Sequence, residues 1–135
     1  MVKRLDDPSS NLPRHTKTDI FPTHDPKPLR WLGSSLCDLR RFPASAREVA
    51  WFQLWRVQLG LDPNDWKPMA STGSGVREIR IHTRVEYRVI YTARFPEAVY
   101  VLHAFEKRAR KTSARDLGII RRRFEHLRLR KEGRA

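Results

Sequence analysis

Three segments in the middle of the chain alternate apolar residues with charged ones, and this alternation limits the fold more than any other feature. The segments are Val76–His82, Val85–Tyr91 and Val99–Arg108. Because successive side chains of a β-strand point to opposite faces, each segment predicts a strand with an apolar face and a charged face. Together they predict a sheet that is apolar on one side and rich in arginine and lysine on the other.

The first two segments predict an antiparallel hairpin whose turn lies near Thr83–Val85. A three-residue loop sorts polar from apolar residues and places Arg80 directly opposite Arg88, whereas a one-residue slip would mix them. Two like charges facing each other repel by an amount comparable to the ~0.2–1 kcal/mol typical of cross-strand pairs. The pair therefore suits a phosphate group, whose oxygens match guanidinium forks. Glu78, Glu86 and water could also relieve the repulsion without any ligand.

The third segment ends in a dense group of charges, with five ionisable side chains among the six residues Glu106–Lys111. Alternation divides its side chains into two sets, His103, Phe105 and Lys107 on one face and Leu102, Glu106 and Arg108 on the other. The sequence leaves open which set shares a face with Arg80 and Arg88. Either set brings a cation to that face if this strand neighbours the hairpin.

Two helices are predicted ahead of the hairpin, after a short strand over Leu29–Leu32. The first helix has Ser34 or Ser35 as its N-cap and stops before Pro43. The second covers residues 44–59, and its apolar positions wrap more than half of its circumference. One face of this helix must pack on the sheet, and the surplus apolar surface needs a further cover.

A last helix is predicted to start at Ser113–Asp116, a variant of the capping box. Four apolar residues follow at helical spacing and form a stripe that faces the core, namely Leu117, Ile120, Phe124 and Leu127. Arginines and lysines occupy most of the remaining helix surface. The order of elements, two helices, three main strands and a final helix, predicts an α+β fold.

The composition is strongly basic, with 28 Lys and Arg against 15 Asp and Glu, a formal net charge of +13 and a pI near 11.0. Such a charge favours a polyanionic partner such as nucleic acid. No apolar run approaches the ~20 residues of a membrane span, and the N-terminus lacks the apolar stretch of a secretory signal. The single cysteine, Cys37, cannot form an internal disulfide. A cytoplasmic protein without a membrane association is therefore expected.

The chain divides into two parts of unequal length. Residues 1–27 are polar and rich in proline and predict a flexible tail, whereas residues 28–135 predict one domain. The glycines within Ser71–Gly75 are not followed by Gly-Lys-Ser/Thr, so a phosphate-cradling P-loop is not predicted. His, Cys and carboxylate residues have no metal-site spacing, and neither a metal nor another cofactor is expected.

Five fragments follow one another in a fixed order, Trp31–Leu36, Asp65–Met69, Gly75–Ile81, Tyr87–Tyr91 and Val101–Lys107. Together they resemble the HigB-like, phage-derived branch of the RelE/ParE superfamily of toxins. The resemblance extends from about Lys27 to Arg128 and leaves out the N-terminal tail. It implies a RelE-like fold, in which a small and mostly antiparallel sheet has two N-terminal helices packed on one side and is followed by a C-terminal helix.

The resemblance also implies a function. Such a protein is the toxin of a type II toxin–antitoxin pair, an endoribonuclease that cleaves messenger RNA on the ribosome without a metal ion. It is neutralised by a cognate antitoxin, usually a HigA-like helix-turn-helix protein encoded next to it, with which it can form a hetero-oligomer. A ParE-like inhibitor of DNA gyrase and a non-catalytic nucleic-acid-binding regulator are the alternatives. The basic residues described next favour RNA cleavage over gyrase inhibition, and the non-catalytic regulator stays open.

The resemblance places Arg80, Arg88 and either Lys107 or Arg108 around the scissile phosphate. Related toxins also use a C-terminal tyrosine, but this chain has no tyrosine after Tyr100. That role is either vacant or moves to Tyr91, Tyr87 or His103. HigB toxins also have His, Asp and Tyr near the site, and the resemblance makes His103 the best candidate for this partial match. We therefore predict five catalytic residues, Arg80, Arg88, His103, Lys107 and Arg108.

Metal-free cleavage requires a group that accepts the proton of the ribose 2′-hydroxyl and groups that stabilise the charge on the phosphate. An arginine is a poor base because its pKa stays above ~12. His103 and Lys107 are better proton carriers. Contacts to the rest of the RNA are predicted for five further residues, Arg77, Tyr91, Phe105, Arg110 and Lys111, with aromatic rings stacking on a splayed base. For Tyr87 and Tyr91 the hairpin register favours core packing instead.

Overall fold

The structure, a computed structural model, describes residues 24–133, so most of the predicted tail lies outside the described residues. The described part contains five strands and three helices, whose bounds are β1 Leu29–Trp31, α1 Ser35–Arg40, α2 Ala44–Gln58, β2 Trp66–Pro68, β3 Val76–His82, β4 Glu86–Thr92, β5 Val99–Lys107 and α3 Ala114–Glu132. The α+β fold predicted from the sequence is confirmed. The strand β2 was not expected, because its segment has the composition of a turn.

The strands form a single sheet in the order β1-β5-β4-β3-β2. All neighbours are antiparallel except β1, which pairs in parallel with the first residues of β5. The predicted hairpin register is confirmed, since Arg80 is the cross-strand partner of Arg88 and His82 that of Glu86. The sorting of polar and apolar side chains was therefore sufficient to fix the pairing of β3 with β4.

The pairing of β5 with β4 contains a bulge. Val101 lies opposite Tyr91 and His103 lies opposite Ile90, so Leu102 is an additional residue in β5. Beyond the bulge, Phe105 is the partner of Arg88, which shows that the set His103, Phe105 and Lys107 shares a face with the arginine pair. The predicted face of Leu102 is wrong, because the bulge turns it into the same apolar cluster as Ile90.

Helices cover both faces of the sheet. The predicted packing of the two N-terminal helices on one face is confirmed: Leu39 of α1 and Leu54 of α2 belong to one buried cluster with Ile79 and Val89. The stripe of α3 packs on the opposite face, in a second cluster that includes Ile90 and the α3 residues Ile120, Phe124 and Leu127. The face that carries Arg80 and Arg88 is thus apolar at one end and charged at the other.

The C-terminal helix starts where the sequence predicts. The Ser113 hydroxyl caps α3 by accepting a hydrogen bond of 3.0 Å from the backbone N–H of Asp116. This start leaves the charged end of the sheet uncovered, because α3 runs from there over the apolar end. No helix within residues 24–133 is long and apolar enough to cross a membrane.

Candidate functional site

A cleft of about 470 Å³ opens on the α3 face of the sheet, at its charged end. Its lining includes five cationic side chains, Lys67, Arg80, Arg88, Lys107 and Arg110, and the carboxylate of Glu78. We call this site the basic cleft. The hairpin β3–β4 supplies the arginine pair, the end of β5 supplies Lys107, and the connection from β5 to α3 supplies Arg110. Four of the predicted RNA-contacting and catalytic residues therefore meet in one place.

Arg88 forms the buried base of the basic cleft, with only 5% of its side chain exposed. Its Nη1 donates to Glu86 Oε1 at 2.9 Å and to the Tyr87 carbonyl at 3.0 Å. Its Nε lies 3.4 Å from Glu78 Oε2, an ion-pair distance without hydrogen-bond geometry. A buried charge needs such partners to offset its lost hydration. Among the described residues no acceptor contacts Nη2, so its two N–H donors, like the one of Nε, make no hydrogen bond to the protein.

Arg80 lies beside Arg88 but differs from it in burial and in hydrogen-bond partners. It is half-buried, and within residues 24–133 its side chain makes no ion pair or hydrogen bond. Its Nε is buried without an acceptor. An unpaired guanidinium next to a second one is electrostatically unfavourable, and an oxyanion between them would relieve both the repulsion and the unmet hydrogen bonds.

Lys107 closes the side of the basic cleft at the end of β5. Its Nζ donates to the carbonyl of Ala109 at 2.6 Å and also to the carbonyl of Arg110. An ammonium group has three N–H donors, so one remains after these two bonds. The same bonds fold the β5–α3 connection back and bring Arg110 to the cleft.

A second opening of about 420 Å³ adjoins the basic cleft and shares Lys107 and Thr112 with it. We call it the side cleft. Besides Lys107, its lining contains three of the predicted residues, Phe105, Arg108 and Lys111. Arg108 is 81% exposed and lies 3.4 Å from the Glu106 carboxylate, outside the basic cleft. Of the two alternatives left open by the sequence, Lys107 is therefore the one that lies beside the arginine pair.

His103 is not part of the basic cleft. It is 5% exposed, stacks on Phe105 with 5.0 Å between ring centroids, and its Nε2 lies 2.7 Å from Asp116 Oδ1. Burial lowers the pKa of His103, although Asp116 acts in the opposite direction. Ser113 bonds to the same carboxylate, at 2.7 Å. In a catalytic triad the histidine lies between the serine and the aspartate and accepts the serine proton. Here Asp116 lies between Ser113 and His103, so the arrangement does not activate the serine as a nucleophile.

Arg77 and Tyr91 lie on the other face of the sheet, towards α2. Arg77 stacks over the Trp66 ring at 4.0 Å and its Nη1 bonds to Asp62 Oδ1 at 2.9 Å. Tyr91 is 1% exposed, and burial raises its pKa to about 12 while Arg77 opposes that shift. The structure therefore does not bring these two predicted RNA contacts to the basic cleft. Core packing of Tyr91 and of Tyr87, which is 7% exposed, is confirmed.

Sequence reasoning missed two charged residues of the basic cleft, Lys67 and Glu78. Glu78 carried a usable signal, because it stands two residues before Arg80 on the charged face of β3. Lys67 carried no such signal, because it reaches the cleft only through the pairing of β2 with β3, in which it is the cross-strand partner of Glu78. Within residues 24–133 no group of three or more His, Cys and carboxylate side chains could hold a metal ion.

The fold and the site define a small α+β protein with a cationic cleft at one end of a five-stranded sheet. The model of the family described as Phage derived protein Gp49-like (DUF891) matches residues 37–125, about two thirds of the chain. The chain belongs to this family, which is associated with RelE/HigB-like toxins and consistent with a toxin–antitoxin role. The matched range contains every residue named above for the basic cleft. The comparison with curated proteins gives no match.

Proposed function

We propose that this protein is the toxin of a type II toxin–antitoxin system and a metal-independent endoribonuclease that cleaves messenger RNA on the ribosome. Its site of action would be the cytoplasm, where ribosomes are found. The observation that carries the proposal is the convergence of Arg80, Arg88 and Lys107 in one cleft, together with the absence of a carboxylate partner for Arg80 among the described residues.

The basic cleft supplies the charge that cleavage by the ribose 2′-hydroxyl requires. Attack of this hydroxyl on the adjacent phosphate adds negative charge to the phosphoryl oxygens, and guanidinium donors placed beforehand stabilise that charge. Arg80 and Nη2 of Arg88 are the donors available for this task. The third N–H of Lys107 can protonate the leaving 5′-oxygen. His103 lies in another opening, and its burial supports a structural role in orienting the start of α3.

The side cleft offers room for the nucleotide next to the scissile phosphate. Phe105 provides a ring on which a base can stack, while Arg108 and Lys111 provide cations for the neighbouring phosphates. The placement of Arg77 and Tyr91 on the opposite face gives no support to their predicted RNA contacts. We therefore leave them out of the proposed RNA path.

The partner proposed from the family association is an antitoxin, a HigA-like helix-turn-helix protein encoded beside the toxin gene. An antitoxin neutralises the toxin if it covers the basic cleft or keeps it from the ribosome. An acidic segment of the antitoxin would complement the five cations of the cleft. A complex of the two proteins that withholds the toxin from ribosomes is the expected resting state.

The direct test is induced expression in a bacterial host followed by mapping of the 5′-ends of cellular messages. The wild-type protein should produce new ends on translated messages, and Arg80→Ala should abolish them. Arg56→Ala removes the same charge from α2, on the far face of the sheet, and should leave the ends unchanged. DNA breaks with intact messages would identify a gyrase inhibitor instead, and neither effect would indicate a non-catalytic binder.

A further inference from the structure

We infer that Glu78 accepts the proton of the ribose 2′-hydroxyl during RNA cleavage, an inference that rests on the proposed function. Glu78 is the only carboxylate in the lining of the basic cleft within residues 24–133. It is 8% exposed and lies on the same face of β3 as Arg80. An ionised carboxylate only accepts hydrogen bonds, so it complements a hydroxyl group that must lose its proton.

The other titratable groups are poorly placed for this task. Arginine keeps its proton, which excludes Arg80 and Arg88 as bases. Lys107 donates to two backbone carbonyls as an ammonium group, which has no lone pair to accept a proton. His103 lines a different opening and is bound to Asp116. Tyr91 is buried on the opposite face of the sheet.

The position of Glu78 relative to the arginine pair fits the geometry of the reaction. Its Oε2 lies 3.4 Å from Arg88 Nε, so a phosphate that binds Arg80 and the free Nη2 of Arg88 sits next to this carboxylate. The 2′-hydroxyl and the 3′-phosphate are attached to adjacent carbons of one ribose. A phosphate held by the arginines therefore brings the 2′-hydroxyl to Glu78. The hydroxyl proton then lies between the Glu78 carboxylate and the phosphate and reduces the repulsion between these two negative groups.

The proposed step balances as follows. The 2′-oxygen forms a bond to phosphorus while its proton passes to a carboxylate oxygen of Glu78. The bond between phosphorus and the 5′-oxygen breaks, and this oxygen takes a proton from the Lys107 ammonium. The products are a 2′,3′-cyclic phosphate and a 5′-hydroxyl, after which Glu78 returns its proton to water and Lys107 regains one.

Glu86 provides a matched control for Glu78. Both carboxylates neutralise Arg88, and the contact of Glu86 is the shorter one, with 2.9 Å between Oε1 and Nη1. Glu86 nevertheless does not line the basic cleft, and its side chain also bonds to His82. If Glu78 serves only to hold Arg88, its loss should resemble the loss of Glu86. If Glu78 accepts the proton, only its own loss should affect the chemical step.

The test is single-turnover cleavage of a short message on purified bacterial ribosomes over a pH series, with the full chain and the variants Glu78→Gln, Glu86→Gln and Glu78→Asp. We expect Glu78→Gln to lower the cleavage rate constant by roughly 10²–10⁴-fold, the usual contribution of a positioned acid or base. It should also abolish the fall in rate at acid pH that reflects protonation of the carboxylate. Glu86→Gln should stay within about tenfold of the wild type and keep that fall.

Glu78→Asp keeps a carboxylate and extends the test to the case in which the glutamine variant does not fold. It should cleave more slowly than the wild type and keep the fall at acid pH. If Glu78→Gln matches Glu86→Gln in rate and keeps the fall at acid pH, Glu78 only positions Arg88 and the inference is wrong, while RNA cleavage stands. Where Glu78→Gln does not fold, a Glu78→Asp variant that cleaves as fast as the wild type has the same meaning. If the wild-type chain itself cuts no message on ribosomes, both the inference and the proposed function fail.

Discussion

Arg77 and Arg80 are three residues apart in the same strand, yet they occupy contrasting environments. Arg77 faces α2, is bonded to Asp62 at 2.9 Å and covers the Trp66 ring. Arg80 faces the basic cleft beside Arg88 and has no partner for its side chain among the described residues. A satisfied arginine stabilises the fold, whereas an unsatisfied pair is suited to an anion that arrives from outside. Local partners, rather than charge in the sequence, distinguish the two roles.

The largest expected effect comes from Arg80. Replacing Arg80 with alanine should lower the rate constant for message cleavage on ribosomes by roughly 10²–10³-fold, the usual cost of removing one donor that stabilises transition-state charge. Arg77→Ala should change this rate constant by less than about threefold, because Arg77 lies on the other face. Equal losses in the two variants would remove the distinction between the faces.

Stability should show the opposite order. Arg88→Ala leaves the mostly buried Glu78 without its ion-pair partner and should reduce the free energy of unfolding by about 3 kcal/mol. Arg77→Ala breaks a partly exposed ion pair and a cation–π contact, and it should reduce the free energy of unfolding by about 1 kcal/mol. Arg80→Ala should be neutral or slightly stabilising, since it removes a like-charge neighbour. Urea denaturation measures all three, and a strongly destabilised Arg80→Ala would contradict the unpaired state of this side chain.

Two histidines extend the comparison to pH. His103 is buried, and its pKa lies below the usual value of 6.5, whereas the hydrogen bonds that His82 donates to Glu86 and Asp65 raise the pKa of this exposed histidine above that value. The contribution of His103 to stability is therefore present above pH 6.5 and is lost as the pH falls through its lowered pKa. The contribution of His82 is present below pH 6.5 and is lost as the pH rises through its raised pKa.

Titration of the two imidazoles by NMR measures this difference directly. His82 should retain its proton to a higher pH than His103. Glu86→Gln should shift the His82 titration downwards, because it removes the first of the two carboxylates that stabilise the imidazolium. The titration of His103 should not change in this variant. A higher pKa for His103 than for His82 would show that burial does not dominate at His103.

The smallest effect is expected in the side cleft. Arg108→Ala should weaken the binding of a 2′-O-methyl RNA oligonucleotide by a few-fold. The slope of log affinity against log salt concentration should fall by the amount that corresponds to about one phosphate contact. Lys107→Ala should affect cleavage more than binding, since Lys107 lies beside the arginine pair. Fluorescence anisotropy at several salt concentrations provides the affinities. Identical behaviour of the two variants would argue against separate roles for the two adjoining clefts.

Much of this organisation could be predicted from the sequence. The pairing of Arg80 with Arg88 followed from the separation of polar and apolar residues, which is a strong constraint when one face is buried. The same register had already placed Arg77 beside Ile79 on the apolar face, so its predicted RNA contact followed from charge alone. The start of α3 at Ser113 was also correct, because its capping signal is local.

The features that could not be predicted depend on contacts between residues distant in the sequence, which a local pattern does not reveal. Strand β2 is three residues long and includes Pro68, so neither its pairing nor the arrival of Lys67 at the cleft was visible. The side of the sheet on which α3 packs depends on contacts between distant residues, such as those that join Ile120 and Phe124 to the cluster of Ile90. Asp116 was recognised as part of a helix cap, but its bond to His103 joins residues 13 positions apart in different elements.

The bulge at Leu102 determines the sign of the charge at the edge of the basic cleft. If the same residues of β5 paired with β4 in strict alternation, without the bulge, Lys107 would point towards α1 and α2 and Glu106 would face the cleft instead. Loss of the bulge would therefore replace one positive charge by one negative charge, a change of two units beside the arginine pair. The way in which one strand pairs therefore matters as much to this site as the identity of its residues.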